Sequence, residues 1–246
     1  PNTVEVRSAL LLCGPFGHEA IRIHRLFRVL SERVARQGIA VLRFDYYGCG
    51  ESGGEDGEGE MKGWKLDLLR AHEELARRSG APRVSWLGAR LSAAVALQSA
   101  RHAQGLQQLV FWDPILDGPA YVEELRAAQL ATLELAFYAK NPAWYDPRRR
   151  TGAIEEVLGH TVSRELAAQL DALRPDQLSV PAGLPTTVFA APGDERARQW
   201  SAAQNAKGIA VVHETLEHPI EWTSDPLPNQ AIVPAQVTGR LAAVIQ

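Results

Sequence analysis

The chain alternates short apolar runs with longer amphipathic stretches, and this alternation limits the folds open to it. Strands are predicted at Ala9–Cys13, Ile39–Phe44, Arg83–Leu87, Gln108–Trp112, Thr186–Ala190 and Ile209–His213. Helices are predicted at Ile21–Arg36, Gly63–Arg78, Leu91–His102, Arg196–Ala206 and Ala235–Ile245. Strands that alternate with helices pair in parallel through crossover helices. The sequence therefore predicts an α/β fold with a doubly wound, mostly parallel sheet, whose ligand crevice lies at the carboxyl ends of its strands.

The alternation is interrupted between the fourth and fifth predicted strands. Residues 117–185 contain two helix-like runs, Ala120–Tyr138 and Ile154–Leu173, joined by the Pro- and Arg-rich connector Ala139–Gly152. An insertion of this length is more than a plain crossover. We interpret it as a helical cap over the crevice, because it begins just after the carboxyl end of a strand. The alternative is a helical subdomain with no gating role. The core domain is then formed by residues 1–116 and 186–246.

Composition excludes several classes of partner. The chain has 246 residues and a net charge of −3, so no basic surplus predicts nucleic-acid binding or attraction to an anionic membrane. Its longest apolar runs are strand-sized, well short of the roughly 20 residues that a membrane span needs. Two cysteines, Cys13 and Cys49, form no disulfide framework and fit a reducing compartment. With no signal peptide in the polar N-terminal residues, a cytoplasmic location is predicted. No metal site or cofactor is predicted.

The stretch SWLGARLSAAVAL (Ser85–Leu97) joins a predicted strand to a predicted helix through a tight turn with Arg90 at its apex. Gly88 and Ser92 stand two residues to either side, where the crowded backbone needs small side chains. Such an elbow usually presents a nucleophilic serine. Its apex favours a left-handed backbone, which is costly for most residues. The arginine is therefore either kept for its side chain or a tolerated relic that reaches solvent or an acidic neighbour.

Arginine at the apex changes the chemistry open to the turn. The pKa of a guanidinium is about 12 or more, so the group stays protonated at ordinary pH and offers no lone pair. Arg90 therefore cannot act as a nucleophile. Beside a helix N-terminus it adds a planar fork of donors, which predicts a carboxylate or phosphate site. Ser92 is the nearest hydroxyl, but it is expected to face the packed turn and is an unsuitable replacement nucleophile.

Two glycine-containing loops follow the first two predicted strands. Gly14-Pro15-Phe16-Gly17 matches a loop that supplies oxyanion donors, so Phe16 and Gly17, with Leu91 after the elbow, form a candidate oxyanion-type loop. The alternative is a strand-to-helix turn that needs glycine for its geometry. The second loop, Arg43–Ser52, lacks the features of a phosphate-binding loop. The candidate pocket residues are Glu19, Tyr46 and Ser92. The Gly- and acid-rich segment Glu51–Glu60 is expected to be a flexible, solvated loop without chemistry.

Candidate acids and bases follow the later strands. Asp194 and Glu195 come after the fifth strand, and His213 and His218 after the last. The order Arg90, Asp194, His218 matches that of a catalytic triad with the nucleophile replaced, although His218 is equally read as an ordinary loop histidine. Asp113 ends the strand next to the elbow strand. Because a buried arginine needs a carboxylate partner, we expect Arg90 to pair with Asp113 or, as a second choice, with Glu19.

Three of these stretches together resemble the α/β-hydrolase superfamily: GPFGHEAIRIHRLFRVLSERVARQGIAVLRFDYYGCGES, WLGARLSAAVAL and LVFWDPILDG. More narrowly, they are similar to the bacterial hydrolases associated with the exosortase A system, second type. That group has a Pro-Phe loop, an Asp-x-x-Gly-Cys-Gly-x-Ser loop and a Gly-x-Arg-x-small elbow. The resemblance covers roughly Ala9–Leu125.

The resemblance implies particular roles and particular departures. Arg90 would be the subgroup's own elbow residue, and Phe16 and Gly17 would form the oxyanion-type loop. The subgroup usually has glutamine where Asp113 stands and Glu-Glu where His18-Glu19 stands. The strand hairpin that opens many such hydrolases is nearly absent before Ala9, so the sheet is expected to be shortened at that edge.

Three functions remain open on the sequence. The first is a hydrolase-fold protein without serine-triad activity that binds an anionic or acyl small molecule under the cap, with Arg90 holding the anion. The second is an ester or thioester hydrolase, or an acyltransferase, of unusual mechanism. In the hydrolase, water activated by His218 with Asp194 or Asp113 attacks while Arg90 stabilises the oxyanion. The third is a non-catalytic scaffold that forms a homodimer or binds a protein partner through the cap, where Trp144 lies.

Overall fold

A computed structural model describes residues 6, 8–138, 141, 154–223 and 232–245. Eight strands are present in this part of the chain. They are β1 (Ala9–Cys13), β2 (Ala40–Phe44), β3 (Val84–Ala89), β4 (Leu106–Trp112), β5 (Glu156–Val157), β6 (His160–Thr161), β7 (Thr186–Ala190) and β8 (Val211–Thr215). Six of them form one parallel sheet in the order β2-β1-β3-β4-β7-β8, and β5 pairs with β6 in a separate antiparallel hairpin.

Seven α-helices accompany these strands in the described residues. They are α1 (His18–Ala35), α2 (Met61–Ser79), α3 (Leu91–Ser99), α4 (Gly118–Leu133), α5 (Arg164–Ala172), α6 (Glu195–Ala206) and α7 (Ala235–Ala243). Helices α1 and α7 cover one face of the sheet, where they meet Leu10 and Leu12 of β1. Helices α2, α3 and α6 cover the other face, where Ala9 and Leu11 point, since successive strand residues face opposite sides. The predicted doubly wound parallel sheet is confirmed.

The sequence located most core elements to within three residues. Strands β1 and β7 have the predicted bounds, but β8 begins two residues later than predicted, so His213 lies inside the strand and not after it. Strand β2 forms one edge of the sheet in the described residues. No helix in the described ranges combines the length and the apolar character needed to cross a membrane.

The segment between β4 and β7, called the insert below, departs from its prediction. Helix α4 continues into a π-helical turn at Glu134–Tyr138, close to the predicted end. The predicted helix over Ile154–Leu173 is wrong in its first half, where the β5–β6 hairpin forms instead. Leu158 and Gly159 at the hairpin turn have φ of 49° and 85°, which interrupts a helix. Helix α5 begins only after Ser163, whose hydroxyl accepts the N–H of Leu166. The connector and Trp144 lie outside the described residues.

The acidic loop before α2 is exposed over most of its length, as expected, but it is also docked on the insert. The Asp56 carboxylate accepts the Thr161 N–H at 3.0 Å, and Gly57 packs against the Thr161 side chain. Glu60 caps α2 by accepting the N–H of Gly63 at 2.8 Å and also contacts Gln169 of α5. The insert shares the hydrophobic core of the α2–α3 face through Val157, Val162, Leu166 and Leu170. These contacts fix the insert against the carboxyl ends of the strands.

Candidate functional site

The elbow places Arg90 at the carboxyl end of β3. Its backbone has φ 54° and ψ −127°, a conformation that L-residues seldom adopt, and α3 starts at the next residue. Its N–H donates to Trp112 O at 3.0 Å, and its carbonyl accepts the N–H of Ile115 at 3.1 Å. A Cβ at Gly88 would lie 3.1 Å from the Ser92 oxygen, which explains the small residue there. The structure therefore has a tight strand-to-helix turn with a guanidinium at its apex, which we continue to call the elbow.

The Arg90 side chain is buried among four neighbours from three parts of the chain. Its Nε donates to Glu19 Oε1 at 2.8 Å, and Nη2 pairs with Glu124 of α4. The guanidinium carbon lies 5.5 Å from the ring centre of Tyr121 and 5.4 Å from that of Trp222, within the range of cation–π attraction. Only 8% of the Arg90 side chain is exposed. Arg90 therefore joins α1, the elbow and the insert.

The electrostatics of this cluster follow from its burial. Desolvation raises the pKa of the Glu19 carboxyl, and the adjacent Arg90 guanidinium opposes that rise. The Tyr121 hydroxyl donates to Glu19 Oε2 at 3.1 Å, and the pKa of this phenol is raised well above its usual value, first by burial and then by the Glu19 charge. Both Glu19 oxygens thus have a donor. We call Arg90, Glu19, Tyr121 and Glu124 the elbow cluster.

Asp113 does not pair with Arg90, although it was the first partner expected. Its φ of 45° turns the carboxylate toward the loops after β7 and β8. There, Oδ1 accepts the N–H of Ala191 at 2.8 Å, and Oδ2 lies 2.6 Å from His218 Nε2 and 2.7 Å from Trp222 Nε1. The second choice, Glu19, is the carboxylate that Arg90 meets.

His218 forms a pair with Asp113, but its ring is turned away from a catalytic role. The Ile220 N–H donates to Nδ1 at 3.2 Å, so Nε2 carries the proton that Asp113 accepts. The ring also packs edge-on against Trp112 at 5.4 Å, and only 3% of the side chain is exposed. Both ring nitrogens are committed, which leaves no basic lone pair directed at the elbow.

Replacing Asp113 by asparagine is expected to lower the free energy of unfolding by about 2–4 kcal/mol. An amide has one oxygen, so it cannot accept from Ala191 at one end and from His218 and Trp222 at the other. Asparagine tolerates positive φ, so the backbone is not the cause of the loss. Urea unfolding followed by circular dichroism measures the change. The matched control is Asp194→Asn, which keeps a helix cap; equal effects of the two changes would contradict the prediction.

The remaining predicted residues are distributed around this centre. Asp194 caps α6 by accepting the Ala197 N–H at 3.0 Å, and Glu195 pairs with Arg198 on the surface, so neither approaches His218 in the described contacts. The Ser92 hydroxyl donates to Gly14 O, inside the packed turn, as expected. Leu91 is buried at the first position of α3. The structure therefore brings Arg90 and Glu19 together and keeps Asp194 apart.

A cleft of 390 Å³ opens beside the candidate oxyanion-type loop, at the carboxyl ends of β1 and β2. Gly17, with φ 59°, forms the start of α1, and its position lies against the His160 ring of the insert hairpin. We call this space the aromatic cleft. The side chains that line it include Phe16, Phe44, Asp45, Tyr46, Asp56 and His160. A second space, of 520 Å³, is lined by Arg90 and bordered by Glu124, Asp117 and Asp194.

Sequence reasoning missed three members of the site. Tyr121 and Glu124 stand three residues apart just after β4, a spacing that places them on one helix face, and this signal was available. Trp222 follows β8 in an irregular stretch, and no pattern in the sequence marks it. Its role depends on contacts with Asp113 and Arg90 that only the folded chain makes.

The chain was compared with known proteins. No protein-family model matches the sequence, and no curated protein matches it. Several solved structures match the chain. A putative hydrolase from Agrobacterium vitis S4 is 19% identical, with a TM-score of 0.57 over 98% of this chain and 90% of its own. Est1E from Butyrivibrio proteoclasticus, solved with ferulic acid, is 15% identical, with a TM-score of 0.60 over 98% and 89%. A thermostable carboxyl esterase from Bacillus coagulans is 13% identical, with a TM-score of 0.62 over 97% and 89%.

These likenesses and the parallel sheet with its elbow define the class of protein. The chain has the α/β-hydrolase fold, and its structural neighbours include esterases and other hydrolases. At these identities the likeness establishes the fold alone, because one fold supports many chemistries. What the site does has to be argued from its own residues.

Proposed function

We propose that this protein is a non-hydrolytic member of its fold class that binds an acyl-type small molecule in the aromatic cleft, with the insert acting as a cap. The observation that carries the proposal is the buried Arg90–Glu19 pair at 2.8 Å. The position that would present a nucleophile holds a permanent cation whose Nε and Nη2 are paired with carboxylates. The elbow then serves to hold the cap helix α4 on the core.

The geometry of the histidine argues against an unusual hydrolase in which His218 activates water. A general base needs a lone pair within hydrogen-bond reach of the proton it removes. His218 uses Nδ1 to accept the Ile220 N–H and points Nε2 at Asp113. Asp194, the other acid considered, is engaged in capping α6.

Of the two ligand types that the sequence suggested, the acyl type fits the structure better. An anion at Arg90 would approach a guanidinium that two carboxylates already neutralise, Glu19 at Nε and Glu124 at Nη2. The aromatic cleft is free of that competition. Its walls carry Phe16 and Phe44, and its volume of 390 Å³ lies in the range of about 300–1,000 Å³ that is usual for small-molecule sites.

We expect no turnover of short- and medium-chain acyl esters and thioesters above the buffer rate, and no recovery of turnover in Arg90→Ser. The serine would stand at the turn, but the ring nitrogen of His218 that does not meet Asp113 would still accept the Ile220 N–H, so no base would activate the serine. Hydrolysis is followed by release of alcohol or thiol, and the reactivity of the new serine by labelling with a fluorophosphonate. The control is a serine esterase of the same fold. The proposal would be overturned if the wild-type protein hydrolysed these substrates and His218→Ala abolished that turnover.

We further propose that the chain belongs to the group of exosortase A-associated hydrolases, second type, that it resembles, and that it acts in the cytoplasm. The group's Gly-x-Arg-x-small elbow corresponds to Gly88-Ala89-Arg90-Leu91-Ser92. In the structure this arginine is buried and pairs with Glu19 and Glu124. The free thiols of Cys13 and Cys49 agree with a reducing compartment.

One observation favours a scaffold function as a second candidate. Side chains of Glu19, Tyr121, Glu124 and Trp222 surround the Arg90 guanidinium and occupy the space where a substrate carbonyl would sit in an esterase. A protein partner or a second copy would then bind through the insert. Sedimentation velocity separates the two functions: a concentration-dependent dimer without ligand binding in the aromatic cleft supports the scaffold.

A further inference from the structure

We propose that the aromatic cleft selects a ligand whose apolar body ends in a positively charged ammonium group. This inference rests on the proposed function, because it takes the aromatic cleft as the binding site and adds the chemical class of the ligand. It differs from the anionic ligand that the elbow arginine suggested on the sequence.

The first argument is the aromatic character of the cleft. Phe16, Phe44 and Tyr46 line it, and Trp64 packs behind them at 5.6 Å from the Phe16 ring and 5.5 Å from the Tyr46 ring. Phe44 meets Tyr46 edge-on at 4.8 Å. Rings held in contact in this way form a rigid apolar surface. Aromatic faces also attract organic cations, quaternary ammonium groups above all.

The second argument is the charge of the cleft. Asp45 and Asp56 line it, and no Lys or Arg is among the described residues that do so. Both carboxylates are held in place through Oδ2: Asp45 accepts the Glu51 N–H at 3.0 Å, and Asp56 accepts the Thr161 N–H at 3.0 Å. One oxygen of each carboxylate is thus fixed by a backbone donor. An anionic ligand would meet repulsion here, and a cationic one attraction.

Cys49 lies within the influence of the same carboxylates. Its thiol lines the cleft, and its pKa is raised to about 12, first by burial and then by the charges of Asp45, Asp56 and Asp67. A thiolate is disfavoured beside negative charges. An ammonium group in the same place would be favoured by them.

Three ligands with the same chain test the inference: octyltrimethylammonium, 1-octanol and octanesulfonate. Titration calorimetry at low ionic strength gives the affinities, and protection of Cys49 from the neutral reagent methyl methanethiosulfonate at pH 9 shows where each ligand binds. We expect the cation to bind at least about tenfold more tightly than the alcohol, the sulfonate to bind most weakly, and added salt to reduce the difference. Cys49→Ser confirms the labelled site.

Charge-removing variants assign the selectivity to residues. Asp45→Asn and Asp56→Asn should each weaken octyltrimethylammonium binding about three- to tenfold and leave 1-octanol binding within about twofold. The amide oxygen of each variant can still accept the backbone N–H, so the loop is retained. Glu73→Gln, on the exposed face of α2, removes the same charge away from the cleft and is the matched control.

The outcomes separate the two proposals. Three results would overturn the ammonium selectivity and leave the cleft as the site. They are equal protection of Cys49 by the cation and the alcohol, tightest binding of the sulfonate, and an unchanged cation affinity in both Asp variants. Failure of all three ligands to bind overturns the cleft as the site, and the selectivity with it. Both proposals are supported if the cation binds tightly, Asp56→Asn weakens its binding, and Glu73→Gln leaves its affinity unchanged.

Discussion

Replacing Glu19 by alanine is expected to lower the free energy of unfolding by about 3–5 kcal/mol, since it leaves a buried cation without the fully buried one of its two carboxylate partners. Glu19 is 2% exposed and accepts both Arg90 Nε and the Tyr121 hydroxyl. Urea unfolding monitored by circular dichroism and by tryptophan fluorescence measures the loss.

Glu124→Ala is the matched control for that experiment. It removes the other carboxylate paired with Arg90, but 39% of the Glu124 side chain is exposed, so solvent screens the charge that is left behind. A loss of about 1 kcal/mol or less is expected. Adding Arg90→Gly to Glu19→Ala removes the stranded cation, and glycine suits the φ of 54°, so the double variant should be more stable than Glu19→Ala alone. A double variant that is less stable would contradict this account of the cluster.

Gly118→Ala should destabilise the protein by at least about 3 kcal/mol, because the added methyl has no space. A Cβ at this position would lie 1.8 Å from the backbone oxygen of Leu170 and 2.9 Å from the Leu173 Cβ. Backbone atoms cannot rotate away, so α4 and α5 would have to separate. The Gly118 N–H bond to Leu173 O, now 3.1 Å, would be lost in the process. The melting temperature and the urea midpoint report the effect.

Gly63→Ala tests whether that loss is specific to the close approach of the two helices. Gly63 lies in α2, and its Cβ would meet only the Glu60 carboxylate at an ordinary 3.4 Å. Alanine is the better helix former by about 1 kcal/mol, so this change should stabilise the protein slightly. Similar losses in both variants would show that the close contact at Gly118 is not the cause.

Glu19 and Gly118 both help to hold the insert on the core. Glu19 fixes the elbow arginine, which in turn binds Glu124 of α4, and Gly118 allows α5 to pack against the start of the same helix. The aromatic cleft is lined by Gly159 and His160 of the insert hairpin, and His160 lies against the candidate oxyanion-type loop at Gly17. Under the proposed function, a ligand in the cleft would therefore contact an insert that these residues hold on the core.

The elbow shows what a local sequence pattern can predict and what it cannot. Gly88 and Ser92 on either side of Arg90 were enough to predict a strand, a tight turn and a helix, because the crowding at such a turn is a property of neighbouring residues. The positive φ at Arg90 followed from the same reasoning. The partner of its guanidinium did not follow from this reasoning. Asp113 ends the adjacent strand, yet its positive φ turns its carboxylate to Trp222 and His218.

The hairpin in the insert shows the opposite case. Residues 154–163 have an apolar spacing that also suits a helix, and the sequence predicted one. The left-handed pair Leu158-Gly159 and the bond from Asp56 to the Thr161 N–H favour the strands instead. The first of these is a local signal that was available, and the second comes from a loop about a hundred residues earlier in the chain.

The sequence by itself determined the order of strands and helices, the parallel sheet and the presence of a cation at the elbow. These follow from the periodicity of apolar residues and from turn geometry, which act over a few residues. The tertiary structure alone decided which carboxylate neutralises Arg90, which way His218 points and which charges line the aromatic cleft. Each of those depends on side chains from distant segments that meet only when the crossover helices and the insert have packed on the sheet.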